Sequence, residues 1–313
     1  MKSHAGVLPS LRFRAFGRLL ASDLRYGFVT AVPRLALFAF MVALALFLSC
    51  VVLAVLFPQA LGSSFTMGEA LLCMWRGMLP YVPEQGEPFQ FPMAWFALLV
   101  CALYATVDYP FRDLGGMGSH MIVASRSRWS WWLAKCGWVI AMALVCWMVT
   151  LAMAGVFTLA LGGEFELGVR PGVASTLNAG RNEATNAAAS LVASGEFEAA
   201  AAEDASIDIG PAMLALGASL AAVLLVQSAV ALLVHPVVGM FAGVSVLFFS
   251  AYFRMWWLPG EYLMLARTDV LMRAGFHPWV GAVLALVVGV AAVLLGGLVF
   301  SRRDILGRGG DDQ

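Results

Sequence analysis

The residues that could carry chemistry in this chain are few, and they are spread apart. Four histidines stand at His4, His120, His235 and His277, and five cysteines at Cys50, Cys73, Cys101, Cys136 and Cys146. Neither set is spaced as metal ligands or a redox pair would be, and neither an H-E-x-x-H nor a G-x-S-x-G run occurs. Four of the cysteines lie in strongly apolar runs and read as small hydrophobes, with Cys73 alone in an expected loop. A phosphate-cradling loop needs glycine directly before its lysine. The only lysines, Lys2 and Lys135, follow Met1 and Ala134, so this chain cannot contain one. Gly115, Gly116 and Gly118 are therefore expected to be flexible loop. No catalytic residue, no metal site and no cofactor of its own is expected.

What surrounds those residues is overwhelmingly apolar. Hydrophobic residues make up 61% of the chain and charged residues 12%, against roughly a quarter charged in soluble domains. So little charge cannot cover the surface of a soluble protein this long, so lipid must be the solvent over much of it. The formal net charge is zero, and no global basic field recruits nucleic acid. A helix needs about 20 apolar residues to cross about 30 Å of hydrocarbon. Six stretches qualify: 35–57, 92–107, 132–161, 211–234, 237–258 and 279–300. The fold class expected is an all-α polytopic membrane protein. The first apolar run begins too far from Met1 for a secretory signal and is expected to stay in the mature chain. His235-Pro236 divides what would otherwise be one run of nearly fifty residues; proline disfavours helix before it, so a tight turn is expected there, with a kinked, partly re-entrant helix as the alternative.

Orientation follows from the basic residues. With the N-terminus inside, thirteen of the 19 Lys and Arg fall on cytoplasmic segments, so both termini are expected in the cytoplasm (N-in/C-in). The multi-pass chain would then belong to the cell (plasma, or cytoplasmic) membrane. Residues 1–34 form a cytoplasmic arm and residues 35–313 a six-helix transmembrane domain with an acidic extracytoplasmic insertion at 162–210. That insertion carries eight acids against two arginines in an Ala-rich background, a composition that forms solvated helix or stays partly disordered. An apolar patch (Leu71, Leu72, Met74, Trp75, Met78, Leu79) in the first outer segment suits a short interfacial or re-entrant helix.

From Leu11 to Phe28 the pattern fits an interfacial amphipathic helix. At 100° per residue Phe13, Phe16, Leu20, Leu24 and Phe28 share one side and Arg14, Arg18 and Arg25 the other. Its bland role is an anchor before span one; its functional role is contact with a cytoplasmic partner. The inner connection between spans two and three holds Arg112, then Arg126, Arg128, Trp129, Trp131, Trp132 and Lys135. Basic residues beside tryptophans make a headgroup-level anchor, since indoles suit the interface and long cations reach to it. The span interiors read as almost free of ionisable residues, with Asp108 and Arg254 at helix ends, which weighs against an intramembrane enzyme or an ion-driven carrier. Gly239 and Gly243 at G-x-x-x-G spacing, and Gly281, Ala285 and Gly289 along one stripe, read as helix packing.

This layout resembles the membrane-spanning permease subunit of a bacterial ABC-type exporter of the second type, a family with six spans, an interfacial helix before the first and a coupling element between the second and third. The likeness is strongest at Arg126-Ser127-Arg128-Trp129-Ser130-Trp131-Trp132-Leu133-Ala134-Lys135 and at Phe300-Ser301-Arg302-Arg303-Asp304-Ile305-Leu306. The acidic insertion departs from the family's short connection. The resemblance implies a homodimer or heterodimer of permeases in membrane lipid. It also implies a separate cytoplasmic ATP-binding-cassette ATPase, which holds ATP and Mg and docks on Arg14, Arg18, Arg25 and the region from Arg112 to Arg128, with Arg126, Trp131, Trp132 and Lys135 among the coupling residues. Two rival readings keep the same spans: a non-transporting scaffold, sensor or immunity protein, and an ion-coupled secondary carrier.

Overall fold

A computed structural model describes residues 9–56, 65–81, 89, 91–125, 127–170, 206–272 and 274–302 of the chain. In lipid a backbone must satisfy its own polar groups, and the apolar segments accordingly form helices. These are α1 (Pro9–Leu56), α2 (Met67–Trp75), α3 (Met93–Thr106), α4 (Tyr109–Gly115), α5 (Met117–Ser125), α6 (Arg128–Ala160), α7 (Gly210–Leu233), α8 (Pro236–Tyr252) and α9 (Pro278–Arg302). Two short strands, β1 (Gly168–Val169) and β2 (Ile207–Asp208), pair antiparallel. Among the described residues five helical stretches are long and apolar enough to cross a membrane: Phe16–Ser49, Met93–Gly115, Arg128–Ala160, Gly210–Leu233 and Pro278–Arg302. The chain is thus an α-helical, multi-pass membrane protein. The sixth apolar helix, α8, has 17 residues, the lower limit of about 17 for a span. It stops at Tyr252, six residues before the expected end, because Phe253 is extended and the chain then enters 3-10 turns at Pro259–Leu263 and Leu265–Arg267.

The amphipathic arm and the first apolar run are one 48-residue helix that carries Pro33 inside it. At 1.5 Å per residue it is about 70 Å long, more than twice the hydrocarbon thickness. Its apolar stripe faces α6. Leu20 lies against Gly137, and the Trp138 ring occupies the space a side chain at Gly27 would need. Leu24 and Phe28 pack on the core, while Arg18 and Arg25 are exposed. Protein therefore covers the face that periodicity alone assigned to lipid.

The connection that leads into α6 is also helical. The chain kinks at Val107–Asp108, runs through α4, turns at Gly116 and continues as α5, so the three glycines sit in and between helices and not in an open loop. Gly118 is needed for close approach, since a Cβ there would lie 2.6 Å from the Asp113 carbonyl oxygen. On the opposite end α2 starts at a capping box in which the Thr66 hydroxyl accepts from the Glu69 N–H and Glu69 reaches back to the Thr66 N–H. Eight of its nine residues are buried, Leu71, Leu72, Met74 and Trp75 among them, so the outer apolar patch is an internal element. The β1–β2 pair closes the base of the insertion, and Gly68 N–H donates to the Glu166 carbonyl, binding that base to α2. Residues 171–205 lie outside the described set.

α7 is the most buried spanning helix and packs on α6, α8 and α9. The turn between α7 and α8 is tight: the His235 ring accepts from the Val237 N–H and Pro236 opens α8. Gly239 lies so near α7 that an added Cβ would sit 2.7 Å from the Ala231 Cα. Gly243 faces Leu103 and Gln227, and Gly281 meets the Tyr262 ring. At Gly289 the nearest atom, from Leu225, would be 3.4 Å away, an ordinary contact. Gly239→Val is therefore expected to cost about 1–3 kcal/mol by forcing α7 and α8 apart. Gly289→Ala should melt like the parent in the same thermal assay.

Candidate functional site

The described ionisable groups collect at the two ends of the bundle. On the side expected to be cytoplasmic, α1, α4 and α6 meet around one ammonium. Lys135 comes from the second turn of α6 and is 1% exposed. Its Nζ lies 2.5 Å from Oδ1 of Asp23 on α1 and 2.7 Å from Oδ2 of Asp113 on α4. Aromatic groups complete its surroundings. The ammonium sits 4.7 Å from the Tyr109 ring centroid and 5.1 Å from that of Trp131, where ring faces attract a cation. The Tyr109 hydroxyl donates to Asp23 at 3.0 Å, and the Trp131 indole N–H donates to Asp113 at 3.2 Å. Each carboxylate thus has a charged and a neutral donor.

A second layer ties the start of α4 to α1. The Arg34 guanidinium grips both oxygens of Asp108, a forked geometry that fixes orientation as well as distance. Arg112 reaches the same carboxylate at 3.6 Å but is largely exposed, so screening leaves that contact weak. Between the two layers lies a cavity of about 290 Å³ whose lining includes Asp23, Arg34, Asp108, Tyr109, Asp113 and Gly116.

The tryptophans behave differently from headgroup anchors. Trp131 and Trp132 are buried against α9: Trp131 stacks on Phe300 with centroids 5.2 Å apart, and the Trp132 indole donates to the Val293 carbonyl at 2.8 Å. Gly296 and Gly297 leave room for the Trp132 and Trp129 rings, and Arg128 donates to the Ser301 carbonyl at 3.1 Å. Of the sequence-derived contact residues, then, Trp131, Trp132 and Lys135 are internal, Arg128 is half-buried, and Arg18, Arg25 and Arg112 are exposed. Arg126 and the side chain of Arg14 fall outside the described residues.

The opposite end has its own buried pair. Glu261 and Arg267, both at most 1% exposed, meet at 2.7 Å. Arg267 also donates to the Ser250 and Ala251 carbonyls at the C-terminal turn of α8, at 2.5 and 2.8 Å, and to the Met78 carbonyl at 3.0 Å. It serves as an internal cap for groups that α8 leaves unsatisfied. Burial pushes its pKa below the ordinary guanidinium value, opposed by Glu261, and burial pushes Glu261 up against the pull of Arg267. Glu69, 1% exposed, receives Arg170 at 2.6 Å, and this bond raises the arginine's pKa. Burial drives the Cys73 thiol up to about 12.

That last shift has a direct consequence. With its thiol held up to about 12 by burial, Cys73 stays almost wholly protonated near neutral pH. Maleimide should therefore modify it at least about a hundredfold more slowly than a cysteine introduced at exposed Ser206, a comparison of rates by mass spectrometry.

Periodicity and motif spacing missed Asp23, Asp113 and the Arg34–Asp108 fork. One signal was present: Asp23 is the sole acid in the first 57 residues and stands seven after Phe16, on the apolar side of its helix. Among the described residues no group of three or more His, Cys, Asp or Glu could hold a metal ion. The cytoplasmic cluster holds α1, α4 and α6 in one arrangement. No protein-family model matches the chain, and no curated protein or solved structure matches it.

Proposed function

We propose that this chain is the permease subunit of an ATP-driven exporter, energised by a separate cytoplasmic ATPase and working as a pair of permeases in the cytoplasmic membrane. The observation that carries the reading is the α4–α5 unit, which ends the second apolar stretch and precedes the third. Its outer surface presents Arg112, Met117, His120 and Val123 to solvent, while its inner surface is bound to α1 and α6 through Asp108, Tyr109 and Asp113. A short helical pair exposed on one side and ionically fixed to two long helices on the other suits the transfer of force from a docked protein into the bundle. Arg18 and Arg25 on α1 are exposed as well. In this reading α8 is the fifth of six spans and both termini are inside.

The test is purification of the full chain from its native membrane. An ATPase carrying a phosphate loop should co-purify, and Arg112→Glu should lower its recovery at least about fivefold by placing like charge against an acidic dock. Absence of any such ATPase with the parent chain would end the permease reading. For the topology, a cysteine at Ser206 should react with an impermeant maleimide in intact cells, and slow-reacting Cys73 leaves little background. Protection of that position overturns the orientation.

One observation favours the ion-coupled rival more than composition does. Asp23 and Lys135 are buried charges inside long apolar helices, where ionisable groups accompany ion pathways. Each is the eighth residue of its apolar stretch, Phe16–Ser49 and Arg128–Ala160, however, and each already has an opposite charge. An imposed proton gradient should drive no uptake or release in vesicles that hold the chain alone.

A further inference from the structure

The cytoplasmic cluster is asymmetric in a way that a simple brace does not require. Lys135 is shared by two carboxylates on helices of very different standing. Asp23 belongs to a 48-residue helix that is zipped to α6 at Leu20–Gly137 and Gly27–Trp138. Asp113 belongs to α4, seven residues long, bounded by the kink at Val107–Asp108 and the turn at Gly116. So short a helix has few internal hydrogen bonds, and its orientation depends on tertiary ties. The side chains differ in the same sense: Asp23 is 6% exposed and Asp113 17%. Asp113 is thus the carboxylate that returns to water at lower cost.

Space and a pivot are both present. The cavity of about 290 Å³ lies along α4, bordered by Asp23, Tyr109, Asp113 and Gly116. At about 30 Å³ per water it has room for several molecules to hydrate a released carboxylate. The opposite end of α4 is held by the Arg34–Asp108 fork, immediately before its first residue.

We infer that Lys135 is the keeper of a two-armed latch in which the Asp113 arm opens while the Asp23 arm stays closed, letting α4 and α5 swing about Asp108. The Asp23–Lys135 arm keeps α1 and α6 as one body throughout. Opening exchanges the Lys135–Asp113 contact, together with the Trp131 N–H bond, for hydration within the cavity. The latch stands on geometry alone; its use in coupling rests on the permease reading, since only there does a partner pull on α4–α5.

Hydrogen exchange on the full chain in nanodiscs tests it. Asp113→Asn should speed exchange of the amides of residues 109–125 at least tenfold and leave α1 and α6 unchanged, whereas Asp113→Glu should restore the parent pattern. Asp23→Asn should instead loosen the α1–α6 contact, seen as faster exchange in residues 16–30. If Asp113→Asn does not accumulate, Trp131→Phe removes the neutral donor while keeping a ring against Phe300 and Lys135, and should produce the same local effect at smaller amplitude. Unchanged exchange in residues 109–125, or an equal rise across all helices, overturns the latch. Failure to capture an ATPase with the parent chain removes the permease reading and leaves these exchange results standing.

Discussion

Arg267→Met should lower the melting temperature of the purified protein by about 10 °C or more, the largest effect expected of any single side chain here. The substitution keeps much of the side chain's length and removes its charge. Glu261 is then left as an unpaired carboxylate in a site from which water is excluded, and breaking a buried pair from one side costs about 3–5 kcal/mol. The Ser250, Ala251 and Met78 carbonyls lose their donor at the same time, so the last turn of α8 and the segment after α2 come apart. Glu261→Gln in the same chain should recover part of the loss, because no charge then remains unpaired. A single variant that melts with the parent would show that Arg267 is not buried against Glu261. The consequence for architecture is specific. The C-terminal end of α8 and the segment after α2 are joined by this guanidinium together with the Tyr81–Tyr252 ring contact, centroids 5.5 Å apart.

Lys135→Met should be the second most damaging change, and its pattern of rescue is more informative than its size. Removing the ammonium leaves Asp23 and Asp113 facing each other without a counter-ion, and by the same reasoning the loss is about 3–5 kcal/mol. Neutralising one acid in that background removes the repulsion but still leaves one buried carboxylate. Lys135→Met with both Asp23→Asn and Asp113→Asn should therefore be more stable than Lys135→Met alone. Thermal melts of the single, double and triple variants measure this. Rescue should be larger from Asp23→Asn than from Asp113→Asn, because Asp23 is the more buried acid. Equal melting of all four chains would contradict a charge cluster at this position. Lys135→Arg is not a conservative alternative, since a bulkier guanidinium must be fitted into a site whose side chain is 1% exposed.

Much of the helical layout is legible from composition and periodicity alone. The apolar runs lie within a few residues of α6, α7 and α9, and the His235-Pro236 break marks the turn before α8. Local chemistry explains that agreement: hydrocarbon demands about 20 apolar residues, and proline cannot continue the preceding helix. The same arithmetic misplaces the surroundings of several residues. A helix wheel sorts Phe16, Leu20, Leu24 and Phe28 to one side but cannot say whether lipid or α6 covers that side. A Trp-Trp pair beside a lysine suits the headgroup level equally well in any sequence. Only the close approach of α9, permitted by Gly296 and Gly297, turns those rings inward.

By itself, then, the sequence determines that this is a helical membrane protein without a phosphate-binding loop, because solvent preference and the residue before each lysine are local properties. Which charges meet was decided by the tertiary structure alone. Asp23 and Lys135 are 112 positions apart, and Arg34 and Asp108 are separated by 74. No spacing rule links such residues; packing brings them together, and a charge drawn out of water is retained only beside its opposite.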